Sequence, residues 1–147
     1  MSTGGSMIQH ADREQRIGKI LGSDNLTVSL KSLTLYRDYL RKHLDMPCIM
    51  TGIEGFPWDN KYVFGYADEA EYEALKRDHP SPADIYELKR FEDLIDEDAG
   101  ILVKVKRVKD NRRFILDLAW LKAVDESSGN HGLLNDYSTW FANRSEH

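Results

Sequence analysis

One cysteine, Cys48, is the only thiol in the 147 residues, so an intramolecular disulfide is excluded. No apolar run approaches the length of a membrane helix. Met1 to Gln9 has neither the basic start nor the apolar stretch of a secretory signal, and a cytoplasmic protein with no membrane partner is the expectation. The five histidines, His10, His43, His79, His131 and His147, form no zinc-ligand spacing. A phosphate loop, a dinucleotide fingerprint and an internal repeat of useful length are all missing. Cys48 lies in an apolar run with no histidine nearby in sequence, the setting of a buried thiol rather than of a nucleophile. With no catalytic signature in view, the expectation is a protein that is not an enzyme.

What is present argues for a folded chain. The apolar fraction of 41%, with seven Tyr, five Phe and three Trp, is enough to build a core, and the length suits one domain rather than two. The formal charge of −5 disfavours a generally nucleic-acid-binding surface while leaving room for a local basic patch.

The strongest pattern runs from Gly100 to Val124, GILVKVKRVKDNRRFILDLAWLKAV. Ile101, Val103 and Val105 alternate with Leu102, Lys104 and Lys106; after Asp110-Asn111, Phe114, Leu116 and Leu118 alternate with Ile115, Asp117 and Ala119. A period of two puts one set on each face of a sheet, so the spacing predicts a hairpin followed by a further strand or extended segment. Asp and Asn tolerate unusual backbone angles, but without a glycine the turn type stays open. A two-stranded hairpin is marginal alone in water, so the remaining chain must cover its apolar face.

Residues 1–25 read as a flexible or weakly helical segment. Only Ile17, Ile20 and Leu21 are large apolar anchors before Gly22-Ser23-Asp24-Asn25 breaks the pattern, and this segment is expected to be dispensable for folding. A single α+β domain is expected over 26–144. Leu33, Tyr36, Leu40 and Leu44 trace one face of a helix that Met46-Pro47 ends. Cys48 to Ile53 and Tyr62 to Phe64 read as short strands. Tyr66 to Asp98 holds twelve acidic and four basic residues and is expected to be a helical acidic insertion. One helix would run from Asp68, with Glu71 at capping-box spacing and Tyr72 and Leu75 apolar; another would start at Ser81-Pro82 and turn Ile85, Leu88 and Phe91 inward. Asp125 to Gly132 reads as a polar loop, after which Leu133, Leu134, Tyr137, Trp140 and Phe141 recur at helical spacing. Leu118, Trp120, Tyr137 and Trp140 are expected to share one core.

Two charged stretches carry the functional signal. Asp93 to Gly100, DLIDEDAG, places several carboxylates on a turn, and such a turn either stays solvated or gathers Ca2+, a hard cation that takes six to eight oxygens. The EF-hand spacing of glycine and glutamate is absent. Lys104, Lys106, Arg107, Lys109, Arg112 and Arg113 surround the hairpin. They form an ordinary exposed sheet face, a surface for a protein partner, or a phosphate-contacting patch with Phe114 or Trp120 stacking on a base; the net acidity disfavours nucleic acid.

Three stretches together, YRDYLRKHLDMPCIMTGI at Tyr36 to Ile53, GILVKVKRVKDNRRFILDLAWLKAVD at Gly100 to Asp125 and LLNDYSTWFANR at Leu133 to Arg144, carry a resemblance. The chain resembles the small calcium-binding protein family first described in cyanobacteria. The resemblance implies a compact acidic domain with an SH3-like antiparallel strand core flanked by N-terminal and C-terminal helices. It also implies Ca2+ as the bound ion and a buffer or sensor role, with Asp96, Glu97, Asp98, Glu54 and Asp59 as candidate ligands.

Overall fold

The alternation after Gly100 becomes a hairpin. In the computed structural model, which describes residues 2–53 and 79–146 with side chains for 12–53 and 79–145, the two strands Leu102–Arg107 and Arg113–Asp117 pair antiparallel, with Val103 opposite Leu116 and Val105 opposite Phe114. Asn111 takes the left-handed conformation at the turn, φ 60°, which its short polar side chain tolerates. Ile101, Val103, Val105, Leu116 and Leu118 are buried on one face.

Numbered along the chain, the strands are β1 (Ile49–Gly52), β2 (Ile85–Phe91), β3 (Leu102–Arg107), β4 (Arg113–Asp117) and β5 (Leu121–Ala123). They form an antiparallel sheet in the order β4-β3-β2-β1-β5. Strands β2 to β4 follow each other as a meander, a single 3-10 turn at Leu118–Trp120 carries the chain away, and β5 pairs beside β1. The fold class is α+β, and this order is compatible with an SH3-like core.

Strand β2 corrects one expectation. Ile85 to Phe91 is not a helix; Ser81 and Asp84 form a turn, in which the Ser81 N–H donates to Asp84 Oδ2 at 3.3 Å and Ser81 Oγ accepts from the Ala83 N–H at 3.2 Å. The misleading feature is a bulge. Tyr86 and Leu88 point inward with period two, the register shifts between Leu88 and Arg90, and Phe91 turns inward where simple alternation would have put Arg90. The extra residue turns a strand pattern into apparent spacings of three at Ile85, Leu88 and Phe91, and Ile85 is in fact 39% exposed on the outer face. The expected strand at Tyr62 to Phe64 and helix from Asp68 lie outside the described residues.

Three helices cover the inner face: α1 (Ser2–Leu21), α2 (Leu30–His43) and α3 (Gly129–Ala142). Helix α2 starts with a reciprocal cap, Ser29 Oγ accepting from the Ser32 N–H at 3.2 Å and Ser32 Oγ from the Ser29 N–H at 2.8 Å. Its stripe of Leu33, Tyr36 and Leu40 is fully buried. Helix α3 begins earlier than its apolar spacing suggests, at Gly129, because Ser128 Oγ accepts the His131 N–H at 3.2 Å. Asn130 then ties that end to the α2–β1 junction through both the N–H and the C=O of Asp45, at 2.9 and 2.8 Å. Tyr36, Tyr137 and Trp140 meet with ring centroids 5.1 to 6.1 Å apart, and Trp140 Nε1 donates to the Leu26 carbonyl at 2.7 Å. Trp120 packs against this core half-buried.

The N-terminal helix has more hold than its few apolar anchors suggest. Ile17 is 2% exposed and Leu21 8%, both within the central cluster. Arg16 grips the buried carboxylate of Asp136 on α3 through two hydrogen bonds of 2.8 and 2.9 Å. A bidentate pair of this kind fixes orientation as well as adding energy. Among the described residues, no helix is long and apolar enough to cross a membrane.

Candidate functional site

The acidic turn is built by its own first carboxylate. Asp96 and Gly100 bond to each other through both backbone groups, at 3.2 and 2.6 Å, while Asp96 Oδ1 accepts the N–H groups of Asp98 and Ala99 at 2.7 and 2.9 Å. These bonds, that from Ala99 first, hold the Asp96 carboxyl below the usual carboxylate range. Gly100 closes the turn at φ 82°, and a Cβ there would stand 2.6 Å from Tyr137 Oη and 2.9 Å from the Phe141 ring. Only glycine meets both demands. Tyr137 Oη in turn accepts the Ile101 N–H at 2.9 Å, so α3 holds the turn against the start of β3.

A second carboxylate comes from elsewhere. Asp117 ends β4 on the outer face, opposite Leu102 in register, and the Leu118 N–H bonds to the Ile101 carbonyl at 2.9 Å just beyond it. Burial first, and then the charge of Asp96, push the Asp117 carboxyl up to about 6. The charge of Asp96 thus bears on an acid from a later stretch of the chain, the first held ionised by turn amides and the second reluctant to ionise.

The candidate ligands divide accordingly. Asp96 belongs to this pair. Glu97 and Asp98 are exposed on the same turn, and among the described residues no hydrogen bond or ion pair joins their carboxylates to it. Glu54 and Asp59 lie outside the described residues. Asp117 was missed by sequence reasoning because its proximity to Asp96 follows from the β3–β4 register; the only local signal is an acid at an outward position of an apolar strand.

Among the described residues, no group of three or more His, Cys, Asp or Glu side chains is placed to hold a metal ion.

The basic hairpin also divides in two. Arg107 belongs to the inward set with Val103 and Val105, is fully buried, and bonds to Asp110 Oδ2 at 2.8 Å, Asp84 Oδ2 at 3.1 Å and the His79 carbonyl at 2.9 Å. Its guanidinium lies over Phe114, 5.0 Å from the ring centroid, so that ring is engaged. Lys104, Lys106 and Arg113 remain on the outer face. Cys48 is buried, and burial alone pushes its thiol up to about 11. A thiol at that value stays protonated near neutrality. A groove of about 460 Å³ between the end of α2 and β2 has its cations matched by acids, Arg90 with Glu92 at 3.3 Å and Arg41 with Asp93 at 3.9 Å.

No family model matches the sequence, and no curated protein matches it. A solved structure does. It is described as "Calcium binding protein in the calcium-binding form" and aligns over 90% of this chain and 90% of its own, with a TM-score of 0.51 and 15% identity. At that identity the likeness shows a shared fold.

Proposed function

We propose that this protein binds Ca2+ at the Asp96 to Gly100 turn, with Asp117 as the second carboxylate, and serves as a buffer or sensor without catalytic activity. The observation that carries the reading is the like-charged pair itself. The charge of Asp96 adds to the cost of ionising Asp117, a cost that a divalent cation relieves, and Asp96 is already oriented by the turn amides so that only one of its oxygens is committed to them. The calcium-bound neighbour of the same fold supports the choice of ion. Remaining oxygens would come from carbonyls, water, Glu97, Asp98, or Glu54 and Asp59. Cys48 as an inert buried thiol agrees with a non-catalytic role.

Isothermal titration of the metal-free protein with CaCl2 and then MgCl2 tests this. Saturable heat with Ca2+, much weaker with Mg2+ and abolished in Asp96→Asn, is expected. Because Asp117 titrates near 6 and must lose its proton to bind, affinity should also fall as pH is lowered from 7 to 5. Equal heats in Asp96→Asn and the wild type would remove this turn as the site.

A further inference from the structure

The outer face of the sheet carries an arrangement that works against its own stability. Register places Arg90 directly opposite Lys104 and Lys106 directly opposite Arg113. Side chains directly opposite on one face approach within about 5.5 Å at Cβ, and like charges there destabilise the pair. Nearby carboxylates compensate only part of this. Glu87 lies 3.5 Å from Lys106 and Glu92 lies 3.3 Å from Arg90, while among the described residues Lys104 and Arg113 make no ion pair. Interleaved with these cations are exposed aliphatic groups: Ile115, opposite Lys104, is 54% exposed, and Ile85, two residues before Glu87 on β2, is 39% exposed.

We propose that this face docks an acidic amphipathic segment of a partner protein, whose carboxylates pair with Lys104 and Arg113 and whose apolar side chains cover Ile115 and Ile85. The repulsion that Glu87 and Glu92 leave uncompensated is then relieved in the complex, which favours the bound state. Charge decides the sign of the partner and the isoleucines decide its class. A polyanion lacking apolar groups leaves Ile115 in water, and Phe114, the hairpin's aromatic, already stacks under Arg107. Asp117, two residues beyond Ile115 on the same face, borders this surface, and the docking itself does not require calcium.

The test is fluorescence anisotropy with three labelled probes of matched length: a peptide alternating Glu and Leu at helical spacing, oligoglutamate, and a single-stranded oligonucleotide. The Glu/Leu peptide should bind best, and more weakly as salt rises. K104E/R113E should weaken it by roughly tenfold or more. Ile115→Ser should weaken the peptide several-fold and leave oligoglutamate unchanged. Because charge reversal removes like-charge pairs, K104E/R113E should also melt no lower than the wild type; K104Q/R113Q gives the same reading should the reversal misfold. Failure of the Glu/Leu peptide to bind, binding indifferent to both double variants, or a tighter grip on the oligonucleotide than on the peptide would each overturn the proposal.

Discussion

Replacing Asp117 by Asn should make the metal-free protein more stable at neutral pH while removing its response to calcium. The Asp117 carboxyl moves from an ordinary 3.8 to about 6 on folding, so between those values the native state holds more protons than the unfolded chain. Stability linked to this group therefore falls as pH rises from about 4 to 6, and the full penalty is present above that window. Unscreened, at about 1.36 kcal/mol per pH unit, the penalty would be roughly 3 kcal/mol; for a half-exposed group, solvent screening brings it to about 1 kcal/mol. Asn keeps the shape and removes the charge. Urea unfolding in EDTA should show Asp117→Asn about 1 kcal/mol more stable than wild type at pH 7, with the difference vanishing near pH 4 where Asp117 is protonated. With Ca2+ added, the order should reverse as the wild type gains stability from binding and the variant does not. A difference that is the same at pH 4 and pH 7, or an Asn variant no more stable at pH 7, would refute the account of this carboxylate.

Ile17→Ala should destabilise the fold by about 2 to 5 kcal/mol, the range for a large aliphatic side chain removed from a packed core. Thermal unfolding reads it, and an unchanged midpoint would support the expectation that the N-terminal segment is dispensable. Arg107→Ala empties a buried position and takes a donor from the His79 carbonyl, while Lys109 still reaches Asp84 at 3.2 Å and Asp110 is exposed, so it should cost about 1 to 3 kcal/mol in denaturant unfolding. A loss well under 1 kcal/mol would mean that the buried guanidinium is not holding the β3–β4 turn to the Asp84 turn.

The hairpin was readable because its period of two runs unbroken through Ile101, Val103 and Val105 and resumes at Leu116 after a turn whose residues tolerate φ above zero. Helix α2 was readable for the same kind of reason, since a single apolar stripe ends at a proline. Strand β2 was not, because one bulged residue erased the alternation that marks a strand and left a spacing that mimics a helix. Arg107 was within reach: it continues the inward series of Val103 and Val105, but its charge drew it into the count of surface cations. The hold on α1 depends on Asp136, 120 residues from Arg16, and no local pattern announces such a pair. The candidate site was half legible. Asp96 stands in an obvious acidic turn, whereas Asp117 reaches it only through the register of β3 with β4.

Residue-resolved NMR during a calcium titration of the metal-free protein tests the central claim most directly. The account predicts saturable shifts at Asp96, Asp98, Ala99, Gly100 and Asp117, much smaller ones with Mg2+, and none of either kind in a D96N/D117N variant. Resonances of the turn and of the end of β4 that stay fixed in millimolar Ca2+ would contradict it.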